Sequence, residues 1–560
     1  MSASITSKKS SEAVARVEKS AVDSPSSDGA RVSHQPAPMT DDDAMLAERM
    51  GHKSEFAREF KSFSTISYAF AIMGLVSSVA TTWNSPFVLG GPASTVWTWF
   101  IGSCFNMCLG LSIAELVSAY PSAGGLYSAS GLLVPRGQRA WVAWLTGWLN
   151  FTGQIAGIAG TEYGLAQMIY AWAYVITNGR FVATTGATVG LYIGLLFLHG
   201  VINCLGTKTL AKLTSSYVIV NLGITFIIII VVLAKTPLDQ MHSASYTFTE
   251  VSDGSGWGNN GLAFLFGLYC VQFVMTDYDA TAHISEEVSR AAIAAPVAIV
   301  VAVAGTGSIG WVLNIVMVIV SGDVRDQDAL TWPGGLAFAQ VLYLRAGRVG
   351  FLVIWPFVCS VAFFVVTTAL QANARSFYAF SRDGGLPDRG FFAKVSPRFN
   401  TTVNAVWLVV IPCMALGCLA FASYTAVSAI FALAALGMDS SYLVPIVSRW
   451  IYWDHPDVQF KPGPFFLGRG LLGKTVNAVA IVWTVFECTL LSIPTVKPIA
   501  ATTFNYSWVI MMGVLLLAGI WYVVWAHRFY HGPRSTLTPE MAQKLGVVSR
   551  DDETPPEYGH

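Results

Sequence analysis

Between Val274 and Glu287 the chain reads VMTDYDATAHISEE, directly after the apolar run GLAFLFGLYCVQF. Asp277 and Asp279 thus enter a segment apolar enough for a bilayer, with His283, Glu286 and Glu287 close behind. A carboxylate at the bilayer centre costs roughly 2.5–3.5 kcal/mol on insertion scales. It needs a cationic amine, a proton, or the amides that open a helix. Asp277 is the candidate to meet an amine ligand and to carry a proton, and Asp279 fits a helix cap. A lone His283 fits a hydrogen-bonded packing residue better than a proton carrier. Glu162, Asp439 and Glu487 also lie inside apolar runs and are candidate proton relays. Glu162 is the stronger of these, and Glu487 is assigned a structural role. Glu115, Glu286 and Glu287 border basic loops and are candidate gates, pairing with residues such as Arg136 or Arg382.

The elements that position these groups are membrane helices. Of the 560 residues 54% are hydrophobic and 12% charged, and the formal net charge is zero. Soluble domains carry about 25% charged residues. The long apolar runs exclude a transmembrane barrel, whose strands alternate, and the charge balance excludes a nucleic-acid partner. Runs near the ~20 residues needed to cross a bilayer fall at 64–89, 97–119, 140–171, 184–203, 213–234, 259–283, 294–320, 350–375, 402–422, 425–448, 475–494 and 505–526. The fold class is therefore an all-α polytopic membrane protein of about twelve transmembrane helices. Residues 61–530 form the membrane domain. Residues 1–60, rich in Ser, Ala and charge, read as a disordered tail, and residues 531–560 as a second tail.

Basic residues set the orientation. Loops on one side hold Arg136, Arg139, Lys208, Lys212, Arg290, Arg375, Arg382, Arg389, Lys394, Arg398, Arg449, Lys461, Arg469 and Lys474. The other side holds Arg180, Lys235, Arg325, Arg345, Arg348 and Lys497. Both termini should thus be cytosolic. Residues 376–401 mix aromatics with Arg and Lys, which predicts an amphipathic segment on the inner surface. Trp257 is placed as an interfacial anchor. The eight cysteines lie in or beside apolar runs and predict no disulfide framework. Cys104 and Cys108, at helical spacing, read as small packing residues.

Two runs look interrupted. The first contains Gly74, Ser77 and Ser78 and ends in Asn84-Ser85-Pro86; the sixth breaks at Thr276-Asp277-Tyr278-Asp279. Lipid cannot satisfy freed backbone groups, so such breaks must face protein, water or a ligand. Two breaks five runs apart point to a transporter site between inverted repeats, runs 1–5 and 6–10, with broken helices 1 and 6. Gly74, Val76, Ser77 and Ser78 would offer amides and hydroxyls to a substrate carboxylate. Thr276 and Asp277 would face its ammonium, while Gln272 and Tyr278 would set selectivity.

Five further stretches carry a family resemblance: SIAELVSAYPSAGGLYSAS (Ser112–Ser130), GWLNFTGQIAGIAGTEYGLAQ (Gly147–Gln167), TDYDATAHISEE, QANARSFYAFSRDGGLPDR (Gln371–Arg389) and KPGPFFLGR (Lys461–Arg469). Over residues 60–530 or so, the chain resembles fungal amino acid/choline (GABA permease-like) transporters of the amino acid–polyamine–organocation superfamily. The resemblance implies the 5+5 inverted-repeat (LeuT-like) fold, and uptake of amino acids, 4-aminobutyrate (GABA), choline or related amines, usually by proton symport. Asp277 stands where members often have Gly. Asn221 stands nearest a Lys that in many relatives takes the place of a sodium ion. The expected function is a secondary permease for amino acids or GABA, with protons and the lipid bilayer as partners. The alternatives are a choline or polyamine carrier and an amino-acid-sensing receptor. No enzyme activity, cofactor or metal is implied. The expected location is the plasma membrane, or else the vacuolar membrane.

Overall fold

The computed structural model describes residues 56–324, 332–399, 401–422, 424–458, 460–501 and 503–534. The two predicted tails, apart from 56–60 and 531–534, and also Arg325, lie outside these residues. Among the described residues the chain is helical, with isolated bridges at Phe60–Val288 and Ser396–Thr401.

Among the described residues, ten helices are long and apolar enough to cross a membrane. They are span 1 (Ser62–Thr82), span 2 (Pro92–Ala119), span 4 (Thr185–Asn203), span 5 (Thr207–Lys235), span 7 (Ala291–Ile319), span 8 (Ala337–Arg382), span 9 (Val403–Phe421), span 10 (Ala429–Ile451), span 11 (Leu471–Leu491) and span 12 (Ser507–Val524). The other two expected segments are span 3 (Arg139–Ile176) and span 6, which begins as Asn260–Val274. Span 3 is long, but Asn150, Gln154, Thr161 and Glu162 dilute its apolar character, and all four are buried. Span 6 is short because it breaks.

The outer shell of the bundle is apolar. Ile219, Ile230, Val353, Leu516 and Val523 are all exposed, as befits side chains that meet lipid. Inside, spans five apart in sequence pack together: 1 with 6, 2 with 7, 3 with 8 and 4 with 9. That pairing is what two five-helix repeats produce around a shared axis.

Spans 3 and 10 meet backbone to backbone. A Cβ on Gly437 would lie 2.7 Å from the Gly153 nitrogen and 3.1 Å from the Leu149 carbonyl oxygen. Small residues permit such an approach, on which helix association in lipid relies.

The extramembrane ends form two faces. One carries Phe60, the loop after span 2, the loop after span 8, and the start of the segment that enters span 11. The described ends both lie there: Phe60 N–H donates to the Glu287 carbonyl, and Tyr530 packs on Phe380 and Trp144. The stretch predicted to be amphipathic differs from expectation: up to Arg382 it continues span 8, and beyond it turns follow, with Lys394 over the Phe391 ring.

The opposite face carries the short π-helix Ser85–Gly90 and the loops 250–259 and 492–506. Trp257 is an anchor by direct contacts: its indole N–H donates to Pro494 O at 3.1 Å and the Lys497 ammonium sits 4.0 Å from its ring centre. Asp253 ties this loop, accepting from the Ser255 hydroxyl and from the amides of Ser255, Gly258 and Asn259, and these bonds hold its carboxyl below the usual carboxylate range.

Gly437→Val should cost about 1–3 kcal/mol or more, because two backbones cannot move apart as a side chain can. The expected reading is a lower melting temperature in detergent and less monodisperse protein; an unchanged melting temperature would mean spans 3 and 10 are not rigidly joined.

Candidate functional site

Span 1 is helical over Ser62–Met73 and again over Leu75–Thr82, with Gly74 left-handed between them at φ 50. Only glycine fits here, because a Cβ would lie 2.0 Å from Val365 Cγ2 of span 8. The break frees carbonyls, and nearby hydroxyls and amides take them up. Ser78 Oγ–H donates to Met73 O, Ser77 Oγ–H to Gly74 O, and Asn221 Nδ2–H of span 5 to Phe70 O. Asn221 therefore supports the break with a neutral amide.

Span 6 stops at Val274 and resumes as Ala280–His283. Asp277 lies between, left-handed at φ 61, an unusual conformation for a residue with a Cβ. Its N–H donates to the Tyr442 hydroxyl at 3.1 Å. Its Oδ1 is buried and has no hydrogen-bond partner among the described residues.

Residues at the two breaks line one small cavity of about 30 Å³. Its walls are Ile72 and Ser78 of span 1; Gly153, Gly157 and Thr161 of span 3; Phe273, Thr276 and Asp277 of span 6; Val365 and Ala369 of span 8; and Ala434 and Met438 of span 10. Gly157 leaves space, since a Cβ there would meet only Ala434 Cβ, at 3.8 Å, whereas Gly153 lies against the span 10 backbone. Ser78, Thr161, Thr276 and Asp277 give it a polar lining, within walls that are otherwise mostly apolar. In this conformation the space has room for about one water molecule, so a larger ligand requires its walls to part.

Beyond it lies a vestibule of about 230 Å³ lined by Thr81, Thr82, Asn84, Gln167, Tyr269, Phe431 and residues of the 492–506 loop. Phe273 and Phe431 separate the two spaces, edge to face with ring centres 4.9 Å apart. On the other face lie three buried ion pairs. Arg375 Nε lies 2.5 Å from Glu287 Oε1, Arg382 Nη2 3.3 Å from Glu286 Oε1, and Arg449 Nη2 3.2 Å from Glu115 Oε1. All three predicted gate carboxylates are thus paired, and Glu286 takes the expected Arg382. Arg375 also donates to Thr402 Oγ1 and faces the Phe56 ring, while Arg449 lies over Phe460 and Trp453.

Several predicted residues sit elsewhere. The Asp279 side chain makes no cap bond. Instead its Oδ1 accepts from the Tyr442 hydroxyl at 2.6 Å and its Oδ2 from Asn150 Nδ2 at 3.1 Å. His283 Nε2 stands 3.3 Å from the same Oδ2, while Nδ1 bonds the Ala123 carbonyl. Asp279 is thus the hub that ties span 6 to spans 3 and 10. Gln272 is outside the cavity, exchanging hydrogen bonds with Asn106 of span 2. Tyr278 and Val76 are fully buried and Ser77 nearly so, none of them in the cavity wall. Glu162 is paired with His199 of span 4, Oε2 to Nδ1 at 3.0 Å, and is likewise absent from the wall. Tyr442, Asn150, His199 and Phe431 escaped the sequence reading. The small residues at 153, 157 and 161 share one helix face, a signal that could have revealed the span 3 wall.

The sequence model of the amino acid permease family matches residues 63–515. The chain is 39% identical to an uncharacterized amino-acid permease of Schizosaccharomyces pombe, covering 89% of this chain and 91% of that one. It is 33% identical to amino-acid permease 2 of Neurospora crassa, covering 91% and 92%. It is 29% identical to the GABA-specific permease of Saccharomyces cerevisiae, covering 90% and 88%.

Removing one member of a buried ion pair costs about 3–5 kcal/mol. Glu287→Gln should therefore loosen the ion-pair face. A cysteine placed in the cavity wall by Ala369→Cys should then react faster with an impermeant thiol reagent supplied from that face, compared against protein without the added cysteine. Equal rates with and without the Glu287→Gln substitution would remove Glu287 from the gate.

Proposed function

As the chain belongs to the amino acid permease family, we propose that this amino-acid transporter carries a zwitterionic amino acid or GABA together with protons. The single observation behind this reading is the cavity where two broken helices meet an acid, Asp277, that has no cationic partner among the described residues. Ser78, in the first turn of the second half of span 1, borders the cavity near the positive end of that helix and would meet a carboxylate. Asp277 supplies the negative charge for an ammonium group. Thr276 and Ser78 border the space between, and the aliphatic body lies against Ile72, Val365 and Ala369. A carrier of choline would need no anion site at span 1.

Supporting features set the direction. The face that carries the ion pairs bears the excess of basic residues, which supports a cytosolic assignment for it. The vestibule then opens to the outside, and the arrangement is one that receives substrate from there, with Phe273 and Phe431 between vestibule and cavity. Both chain termini are cytosolic, and the membrane is the plasma membrane. Alternating access would proceed by parting the ion pairs while the aromatic pair stays closed.

The test is uptake of a radiolabelled panel (amino acids, GABA, choline, putrescine) at two external pH values, in cells lacking their own carriers. Sodium is replaced by N-methylglucamine. Uptake of zwitterions that rises in acid and ignores sodium is expected. Uptake that collapses without sodium and ignores pH would sink the symport reading, and uptake of choline or putrescine alone would sink the zwitterion. At matched surface expression, Asp277→Asn should weaken apparent affinity at least tenfold, or about 1.4 kcal/mol. Unchanged affinity would show that Asp277 does not hold the amine.

A further inference from the structure

We propose that Asp439 and Glu487 form a proton-binding pair, joined to the break in span 6 through Thr276, and that its proton is the one coupled to transport. The proposal rests on the symport reading above and assigns that reading its site.

Asp439 of span 10 and Glu487 of span 11 are both buried where the two spans pack, and their chain neighbours meet there, Ser440 Oγ 3.5 Å from Cys488 Sγ. A carboxylate only accepts hydrogen bonds. Two of them can therefore bond each other only if one carries a proton, and two like charges in so dry a place do not both ionise. The remaining contacts leave room for that proton. Thr276 Oγ1–H donates to Asp439 Oδ1 at 3.1 Å. Neither Glu487 oxygen has a donor among the described residues, because the Trp483 indole N–H is directed to Asn106 Oδ1 at 2.9 Å.

Tyr278 supplies an independent sign. Its hydroxyl is fully buried and lacks a partner among the described residues, and both carboxyls act on it electrostatically. A buried donor without an acceptor thus shares this region with the buried Glu487 oxygens, which lack a donor.

Among the described residues, no Arg or Lys is hydrogen-bonded into this network. Span 6 contributes Asp277, Asp279 and Tyr278, and span 10 adds Tyr442. Span 11 contributes Cys488, whose sulfur meets Ser440 at 3.5 Å, and spans 2 and 3 contribute the neutral Asn106 and Asn150. The base joined to it is His283, which is taken by Asp279 and the Ala123 carbonyl. The charge of the pair is therefore set by its own proton rather than by a fixed cation.

Thr276 is the link to transport, since it touches Asp439 and also lines the cavity beside Asp277. The cycle takes one proton from water on the vestibule side onto the pair. It returns that proton to water on the opposite face when span 6 moves and the Thr276 contact changes. No bond other than the proton's is made or broken.

The test uses the full-length protein in proteoliposomes, with a radiolabelled mixture of L-amino acids and GABA as the probe. For one coupled proton, an inward gradient of one pH unit sustains about tenfold accumulation, equal to about 1.4 kcal/mol. Glu487→Gln and Asp439→Asn should lose this accumulation and flatten the pH profile, while exchange of internal for external substrate falls far less. Tyr278→Phe, which alters no charge, should shift the pH profile without abolishing accumulation, and serves if the acid variants fold poorly. A Glu487→Gln protein that accumulates like the wild type overturns the pair alone. Loss of exchange along with accumulation marks a structural role and also overturns it. A wild type indifferent to the pH gradient removes the symport reading and the pair together.

Discussion

A backbone that leaves the helix inside a membrane must find every partner within the protein, because lipid offers none. Gly74 and Asp277, the two left-handed residues that interrupt spans 1 and 6, create this demand. Much of the buried polar architecture answers it. Ser77, Ser78 and Asn221 take carbonyls near the first break, and Tyr442 meets the Asp277 amide at the second. The cavity exists because these groups hold the breaks open while Gly157 keeps a side chain out.

The two ends of the pathway are governed by different physics. On the vestibule side two aromatic rings meet, a contact that rearranges at small cost. On the other side guanidinium–carboxylate pairs are buried, and their separation requires rehydration of each charge. Opening there is therefore the more expensive event and needs a compensating input from substrate binding. Bulk salt screens such buried pairs weakly, so ionic strength has little leverage on this end.

The membrane spans were legible because an apolar run of bilayer length has few other fates. Both breaks were legible too: glycine and hydroxyls at one, carboxylates in an apolar run at the other. What escaped was the partner of each polar residue. Asp279 looked like a cap from its neighbours in sequence, yet its bonds come from Asn150, 129 residues before it, and Tyr442, 163 after it. Gln272 looked like a selectivity residue until Asn106 claimed it. Glu487 looked peripheral because span 11 lies outside the repeats, but span 11 packs on span 10, where Glu487 and Asp439 are both buried. Spacing along one helix says which face a residue takes and nothing about what another helix brings to that face.

The short bridge at Phe60 has a mechanical consequence. Phe60 exchanges backbone hydrogen bonds with Glu287 and Ser289, Arg58 reaches the Val288 carbonyl, and Phe56 covers Arg375. Residues 56–60 are thus latched to the same inner half of span 6 whose Glu287 pairs with Arg375. The entry to the first membrane helix is therefore continuous, through Phe56 and the Phe60 bridge, with the buried Glu287–Arg375 pair, so any displacement of the inner half of span 6 is felt at residues 56–60.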